Sequence, residues 1–144
     1  TEDGGRVVQP DPMFRMFATG NTVGQGDEHG MYQGARPQSL AFLDRFTLWM
    51  RVDYMSTSQY KALIKEKVPA ITESNLDSLG KYITEHFKAF TSAKISQPLS
   101  PRGMLAIANY TTVFGLEAAL KACVLNKANE DDKAILEGIV DRVL

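Results

Sequence analysis

The sequence predicts a mostly α-helical chain in two parts, an α/β segment over residues 1–55 followed by an all-α domain over residues 56–144. The first observation behind this prediction is a change of composition. Residues 1–55 contain seven of the 11 glycines and no lysine, whereas residues 56–144 contain all nine lysines and four glycines. The second observation is that apolar side chains after residue 56 recur every three or four positions, which is the period of an amphipathic helix.

The overall composition excludes several classes of protein. The chain has 144 residues and a formal net charge of −1, which argues against a nucleic-acid-binding surface built on bulk positive charge. Its apolar runs are far shorter than the roughly 20 residues that a membrane-spanning helix needs, so no membrane span is expected. The single cysteine, Cys123, cannot form a disulfide within the chain, and such cysteine usage favours a cytoplasmic location.

Two short apolar runs in the first part are predicted to be strands. Residues 14–19 lie in a stretch bounded by a proline and a glycine, which is typical of a strand buried on both faces. Residues 48–53 form the second run and alternate between apolar and polar side chains at its later end. Between the two runs we expect a glycine-rich loop over residues 20–34 and a short helix from about residue 38 to residue 46.

Polar cap residues predict where the helices of the second part begin. A side chain that accepts a hydrogen bond from the first turn stabilises a helix N-terminus, and such residues occur at Ser56 or Thr57, Thr72, Ser100 and Asn129. The first helix is expected to end near Lys67, before Pro69, and Gly115 is expected to interrupt the third. The longest and the last helix each carry an apolar stripe, made of Leu76, Leu79, Ile83, Phe87 and Phe90 in one and of Ile135, Leu136, Ile139, Val140 and Val143 in the other.

The glycine-rich loop is not predicted to bind phosphate or metal. Its glycines are spaced G-x-G-x-x-x-G, the chain contains no G-x-x-x-x-G-K-[ST] pattern, and Asp27 and Glu28 would repel a phosphate. His29 stands beside these two acids, but three ligands within three residues seldom converge on a metal without help from elsewhere. We therefore expect a flexible surface loop and no metal site.

Other candidate reactive side chains have ordinary structural interpretations. Cys123 lies in an apolar helical run and is expected to be a buried thiol. His86 lies one position beside the stripe of the longest helix, which predicts a place on the helix surface. Asp131 and Asp132 follow Asn129 at a helix start, where the macrodipole favours acidic residues. No G-x-S-x-G pattern of a serine hydrolase occurs.

Three polar residues at the ends of predicted elements remain. Asn21 lies just beyond the first predicted strand, and Arg45 lies at the end of the short helix. Arg102 lies in the first turn of the helix that follows Ser100. An arginine in a first helical turn opposes the macrodipole, so another interaction should favour it there.

The order and spacing of these residues resemble one family of ATPases. The stretch FRMFATGNT (residues 14–22) resembles the sensor-1 strand of AAA+ ATPases, and LSPR (residues 99–102) resembles their sensor-2 helix start. The closest resemblance is to the MoxR-type group and, within it, to the ATPase subunits of aerobic cobaltochelatases. It is carried by GNTVGQGD (residues 20–27), GMYQG (residues 30–34) and LDRF (residues 43–46).

The resemblance implies a fold and a role for each of the three residues. Residues 1–55 would be the C-terminal end of the αβα core of a P-loop ATPase module, and residues 56–144 would be its helical lid. Asn21 would be sensor 1, which helps to orient the attacking water. Arg45 would be the arginine finger that faces a neighbouring subunit, and Arg102 would be sensor 2, which contacts an ATP phosphate. Positive charge and positioning are what phosphoryl transfer requires, and a guanidinium binds phosphate in a bidentate manner.

The resemblance also implies cofactors, partners and a process. ATP and Mg²⁺ would bind between protomers of a homo-oligomeric, hexameric ring in the cytoplasm. Hydrolysis would be coupled to remodelling of a partner protein or a metal-chelatase complex, whose partner subunit carries a von Willebrand A-type domain. The resemblance leaves two alternatives for the target: a complex that inserts cobalt, or some other complex. The alternative from another class is a non-catalytic helical module for protein interaction.

The chain departs from the family pattern in one important respect. The Walker A loop and the Walker B strand precede sensor 1 in this family, and neither motif occurs in the 144 residues. The chain also begins at Thr1 rather than at a methionine. We therefore expect a C-terminal segment of a longer ATPase, and we expect this segment to be inactive by itself.

Overall fold

The computed structural model of the chain describes residues 9–20, 22 and 36–144. The chain divides into two compact units, Thr1–Met50 and Arg51–Leu144. This division lies slightly before residue 55, where the change of composition places the predicted boundary.

The described residues form six α-helices, and their order along the chain is simple. They are α1 (Leu40–Leu43), α2 (Thr57–Lys67), α3 (Glu73–Thr91), α4 (Pro101–Phe114), α5 (Leu116–Cys123) and α6 (Glu130–Val143), with one 3₁₀ turn at Leu125–Lys127 between α5 and α6. Helix α1 belongs to the first unit, and the other five build the second. Among the described residues, no helix combines the length and the apolar character that crossing a bilayer requires.

The predicted cap residues begin four of these helices. The side chain of Ser56 accepts a hydrogen bond from the backbone N–H of Gln59, whose side chain bonds back to the N–H of Ser56 to form a capping box. Helices α3, α4 and α6 begin in the same way, with one capping side chain each at Thr72, Ser100 and Asn129. The predictions of these starts are confirmed, because capping depends only on residues three apart along the chain.

The core of the second unit surrounds α3, which packs against α2, α4 and α6. Of the stripe predicted for α3, the aliphatic members Leu76, Leu79 and Ile83 are buried, whereas its two phenylalanines are half-buried. The predicted stripe of α6 is buried except for Ile135, which is exposed. The largest fully buried side chains include Tyr60, Tyr82, Ile64, Leu79, Ile83, Met104, Ile107, Leu120, Leu136 and Ile139.

Neither apolar run predicted as a strand forms β-structure in the described part of the chain, so the prediction of two strands is wrong here. Phe14 and Phe17 are 60% and 91% exposed, and Trp49 and Val52 are 55% and 89% exposed. A strand satisfies its backbone N–H and C=O groups by pairing with a neighbouring strand. No described segment provides that pairing, so the two runs form no regular secondary structure and their apolar side chains stay uncovered.

The structure makes Gly115, between α4 and α5, a position that only glycine can occupy without strain. Its backbone angles are φ 83° and ψ 161°, a region that is essentially restricted to glycine. A Cβ built there would meet no atom within 4 Å. The cost of a side chain at this position would therefore come from the backbone alone.

We predict that Gly115→Ala lowers the free energy of unfolding by about 1–3 kcal/mol, because alanine avoids this backbone region. Urea unfolding of the chain, followed by circular dichroism, measures the change. Gly138→Ala is the matched control, because Gly138 lies inside α6 and a Cβ there would make only an ordinary 3.6 Å contact with Arg142. The control should raise stability by about 0.5–1 kcal/mol. A Gly115→Ala variant as stable as the parent chain would contradict the strain argument.

Candidate functional site

The three residues predicted to act on nucleotide are distributed over both units of the chain. Asn21, the predicted sensor-1 residue, lies outside the described residues, as do His29 and most of the glycine-rich loop. Arg45 lies in the first unit and Arg102 in the second. The surroundings of these two arginines can therefore be described one at a time.

Arg45 lies on a tight turn directly after α1. This helix is shorter than predicted, since it covers Leu40–Leu43 and not residues 38–46. The turn follows it because the N–H of Arg45 bonds to the carbonyl of Phe42 at 3.2 Å, and the N–H of Phe46 bonds to the carbonyl of Leu43 at 3.0 Å. The turn projects Arg45 outward, and its side chain is exposed.

The guanidinium of Arg45 donates a hydrogen bond to the backbone carbonyl of Ala41, one helical turn before it. An exposed bond of this kind contributes about 1 kcal/mol net, so another acceptor could replace the carbonyl at small cost. No carboxylate pairs with this guanidinium among the described residues. The charge of Arg45 is therefore available for an anion.

Aromatic side chains flank the Arg45 turn. The rings of Phe42 and Phe46 meet edge to face with centroids 5.5 Å apart, and the ring of Trp49 lies 6.5 Å from that of Phe46. The indole N–H of Trp49 donates to the carbonyl of Phe46 at 2.7 Å. These contacts hold the backbone on both sides of Arg45, while an open groove beside the turn leaves the segment accessible.

Arg102 occupies the second position of α4. The hydroxyl of Ser100 accepts from the N–H of Gly103 at 3.1 Å, and Pro101 takes the first helical position. Leu99 and Met104, both buried, stand at the positions of a hydrophobic staple. The start of α4 is thus fixed by a cap, a proline and two apolar anchors.

The side chain of Arg102 is exposed and forms no ion pair with the described residues. At the N-terminus of a helix its positive charge meets the positive end of the macrodipole, which disfavours it by about 0.3–1 kcal/mol. Local structure therefore supplies no partner that accounts for this arginine. The same position suits an anionic ligand, because the guanidinium and the positive end of the macrodipole both favour negative charge there.

A buried carboxylate fastens the segment that leads into α4. Asp132, in the first turn of α6, is 4% exposed. Its carboxylate accepts from the N–H of Ser96 at 3.0 and 3.1 Å, from the hydroxyl of Ser96 at 2.9 Å and from the N–H of Gln97 at 3.2 Å. The macrodipole alone was expected to explain this acid; the structure adds a set of specific tertiary bonds.

A buried histidine holds the same segment from the opposite side. The prediction that His86 lies on the helix surface is wrong, because its side chain is fully buried. Its Nε2 lies 2.9 Å from the carbonyl oxygen of Gln97, and its Nδ1 lies 3.0 Å from the hydroxyl of Tyr82. Since a carbonyl can only accept, Nε2 carries the proton and donates it, and Nδ1 accepts from the tyrosine.

Burial also determines the protonation of this cluster. It lowers the pKa of His86, although the bond to the Gln97 carbonyl and the charge of Asp132 act in the opposite direction. Burial raises the pKa of Tyr82, so its hydroxyl keeps the proton that it donates. Both side chains are therefore neutral at pH 7, which is the state that the two hydrogen bonds need.

No described group of three or more histidine, cysteine or acidic side chains could hold a metal ion. Cys123 is half-buried, which is less than the full burial that its apolar neighbours predict. These side chains offer neither a metal centre nor an activated nucleophile. Of the three residues predicted to act on nucleotide, the two that are described, Arg45 and Arg102, can supply positive charge.

Sequence reasoning missed His86 and Asp132, although a signal for each was present. His86 follows Ile83 by three positions and Tyr82 by four, so a wider apolar stripe on α3 would have included it. Asp132 follows Asn129 by three positions, which is the reciprocal position of a capping box. Neither signal shows that the partner of both residues would be the backbone of Gln97, far away along the chain.

The chain is similar in sequence to the aerobic cobaltochelatase subunit CobS of Sinorhizobium sp, with 30% identity over 139 residues. The similar region covers 93% of this chain and 42% of CobS, so the chain spans less than half the length of this curated relative. No family model matches the chain, and no solved structure matches it significantly. The homology extends through both units of the chain.

We predict that acidification destabilises the chain through His86. The pKa of this histidine is lowered from the ordinary value of 6.5 on folding, so the unfolded chain binds a proton at a higher pH than the folded chain does. The free energy of unfolding therefore falls as the pH decreases from about 6.5 through the lowered pKa. The stabilisation that neutral His86 provides is fully present above about pH 6.5. Urea unfolding between about pH 8 and pH 5 measures the slope.

His86→Gln is the control for this prediction, because glutamine keeps an N–H donor but does not titrate. The slope attributable to His86 should be absent from the variant. The pKa of Asp77 and of Glu85 is lowered by lysine partners, so those carboxylates lose their contribution only at more acidic pH, near and below about 4. Equal slopes between pH 6.5 and pH 5 in the two proteins would refute the assignment to His86.

Proposed function

We propose that the chain is the C-terminal part of a ring-forming AAA+ ATPase of the MoxR-type group, which uses ATP hydrolysis to remodel a partner protein or a metal-chelatase complex. The observation that carries this proposal is the similarity to CobS, which spans the positions of Asn21, Arg45 and Arg102. We refer to this chain together with a Walker A and a Walker B segment as the complete ATPase.

Arg45 and Arg102 suit the phosphate groups of ATP. Both guanidinium groups are exposed, and no described carboxylate neutralises either one. A guanidinium is always charged and matches a phosphate in a bidentate manner. Mg²⁺ would be held by the Walker segments and by ATP, since the described residues offer no cation site.

Each of the three residues then has a distinct role. ATP supplies the phosphoryl group, and this chain positions and stabilises charge around it. Asn21 helps to orient the attacking water. Arg45 reaches from one protomer into the site of its neighbour and stabilises charge that develops in the transition state. Arg102 contacts a phosphate from the lid, so nucleotide state would set the orientation of α4.

A ring is the assembly that makes use of Arg45. Its bond to the carbonyl of Ala41 is a resting contact that an isolated subunit can form. In a homo-oligomeric, hexameric ring, an acceptor on the adjacent protomer would replace that carbonyl. Activity would then require assembly, because neither protomer holds a complete site.

The exposed apolar runs support the assignment of residues 1–55 to the end of an αβα core. Residues 14–19 and 48–53 have the sequence of parallel strands but no neighbours among the described residues. The core of a complete ATPase would supply those neighbours and cover Phe17 and Val52. The all-α unit would be the lid, as its five helices and absence of strands suggest.

The relative's name suggests the process in which such an ATPase acts. CobS is a subunit of an aerobic cobaltochelatase, so a chelatase complex is the first candidate target, with a von Willebrand A-type domain on the partner subunit. The site of action would be the cytoplasm. Cobalt insertion and remodelling of another complex are distinguished by purifying the complete ATPase and identifying what co-purifies in the presence of ATP.

One observation favours the alternative of a non-catalytic helical interaction module. Tyr110, Val113 and Phe114 are 49%, 70% and 67% exposed on the second half of α4, and the two aromatic rings stack. Exposed apolar groups of this kind are common at protein contacts. A reading frame without a G-x-x-x-x-G-K-[ST] motif, and a product that does not bind ATP, would favour this alternative over the ATPase.

We predict that Arg45→Ala in the complete ATPase reduces turnover by about 10³–10⁵-fold, as removal of an arginine finger does, while ATP binding changes little. The reason is that a finger stabilises charge of the transition state rather than the bound substrate. Steady-state hydrolysis and equilibrium ATP binding measure the two quantities.

Arg36→Ala is the matched control for Arg45→Ala, because Arg36 is an exposed arginine of the same unit. It should retain full turnover. Mixing the Arg45→Ala protein with a Walker-lysine variant should restore part of the activity, since each protomer supplies the group that the other lacks. Wild-type turnover in Arg45→Ala would show that this residue is only a surface charge.

We predict that Arg102→Ala leaves the stability of the chain unchanged or raises it by up to about 1 kcal/mol, because it removes a charge that the helix dipole disfavours. In the complete ATPase the same change should weaken ATP-dependent ring assembly. Thermal melting and size measurements at increasing ATP concentration test the two parts.

Arg142→Ala serves as the control for Arg102→Ala. This arginine is also exposed in the second unit, and its only described ion pair, with Glu85, is 3.9 Å long. We expect it to leave ATP-dependent assembly intact. A loss of stability in Arg102→Ala with unchanged assembly would mean that Arg102 is a structural residue.

A further inference from the structure

The backbone N–H and the carbonyl of Gln97, which belong to the peptide units before and after this residue, are each held by a side chain from a different helix. Asp132 of α6 accepts its N–H at 3.2 Å, and His86 of α3 donates to its carbonyl at 2.9 Å. On either side of it, Ile95 and Leu99 are 3% and 6% exposed. Rotation of the backbone on either side of Gln97 would break a bond to a carboxylate or to a buried imidazole, which are costly to leave unpaired.

A second contact ties the same segment to the start of α6. The amide of Asn129 donates to the hydroxyl of Ser96 at 3.1 Å, while its side-chain oxygen accepts from the N–H of Asp132 at 2.7 Å. Asn129, the cap of α6, therefore also helps to hold residues 96–97 in place. Three elements, α3, α6 and the segment before α4, are connected through one polar cluster in which His86 and Asp132 are buried.

The chain between this cluster and Arg102 has few free torsions. Only four residues separate Gln97 from Arg102, and two of them, Pro98 and Pro101, have φ restricted by their rings. Of the other two, Leu99 is buried and Ser100 is the helix cap. The backbone orientation at Gln97 therefore largely determines the backbone orientation at Arg102.

We propose that His86 and Asp132 are positioning residues for Arg102: by holding the carbonyl and the N–H of Gln97, they set the direction in which α4 presents this arginine to the phosphates of ATP. The proposal rests on the proposed function, in which Arg102 contacts a phosphate. Neither His86 nor Asp132 touches nucleotide in this account. They act through the backbone of residues 96–102.

The competing explanation is that α4 needs no such help. Met104, Ile107 and Ala108 are fully buried, and these contacts could orient the helix without the cluster. His86 and Asp132 would then contribute to stability alone. The two explanations differ in one measurable respect, namely whether the effect of the cluster on nucleotide depends on the presence of Arg102.

The test is a double-mutant cycle in the complete ATPase, with His86→Leu, Arg102→Ala and the double variant. The readout is the ATP concentration that gives half-maximal ring assembly. We expect His86→Leu to raise this concentration by about tenfold, which corresponds to 1.4 kcal/mol, and to have no further effect when Arg102 is already alanine. A structural residue would produce the same factor in both backgrounds.

Conservative variants provide the rescue and the stability control. His86→Gln places an amide N–H where Nε2 donates, so we expect it to restore the ATP concentration to within about threefold of wild type. Ile139→Val removes a buried methyl group from α6 and should lower stability without changing the ATP concentration. If His86→Leu does not fold, Asp132→Asn takes its place in the cycle. Asparagine preserves the shape of the side chain, but it replaces one acceptor oxygen with an NH₂ donor and removes the charge.

Amide hydrogen exchange supplies a local readout. In Asp132→Asn, the N–H groups of Ser96 and Gln97 should exchange about tenfold to a hundredfold faster, since they lose their carboxylate acceptor. The N–H of Gly103, at the cap of α4, should also exchange faster. Faster exchange that is confined to residues 96–97, with α4 unaffected, would overturn the proposal.

The outcomes separate this proposal from the proposed function. If Arg102→Ala alone leaves ATP-dependent assembly unchanged, the phosphate role of Arg102 is wrong. If Arg102→Ala weakens assembly but the cluster variants do not, or if their effects multiply with that of Arg102→Ala, the positioning role is wrong. Loss of the His86→Leu effect in the Arg102→Ala background supports both.

Discussion

The hydrogen bonds that Asp132 and His86 form with the backbone of Gln97 link α3 and α6 to the segment before α4, and the proposed orientation of Arg102 depends on them. Helix α6 supplies the carboxylate, α3 supplies the imidazole, and α4 begins four residues after Gln97. Because a hydrogen bond requires a donor–acceptor distance of about 3 Å, these contacts favour one register of α3 and α6 against the segment before α4. Apolar packing alone would permit small sliding movements that this cluster forbids.

The polar cluster is costly to bury, and its geometry shows how the cost is offset. A carboxylate in a core is tolerated only when donors replace the water that it loses. Asp132 has three such donors, the two backbone N–H groups of Ser96 and Gln97 and the hydroxyl of Ser96. His86 is fully paired, since Tyr82 occupies its second nitrogen. The paired carboxylate and imidazole favour one structure among several that apolar packing would accept.

The first unit follows a different principle, because most of its apolar side chains have no described partner. Phe17 and Leu48 are 91% and 79% exposed, and the described segment around Arg45 consists of a single short helix with an aromatic turn. Helices of one turn have almost no stability by themselves. Under the proposed function this unit would be completed by the rest of an ATPase core, and its arginine would find its acceptor on an adjacent subunit. The helical unit, by contrast, contains its own core.

Features that depend on residues close together along the chain could be predicted from the sequence. The caps at Ser56, Thr72, Ser100 and Asn129, the interruption at Gly115 and most of the buried stripes were predicted correctly, since capping and helical periodicity act over three or four residues. The placement of Arg102 in a first helical turn followed from the same local signals, whereas its role did not. Tertiary structure alone decided that His86 and Asp132 are buried and share Gln97, and that two apolar runs lack strand partners. Burial and β-pairing depend on segments that are distant in sequence, and no local pattern records which of those segments will be present to make the contact.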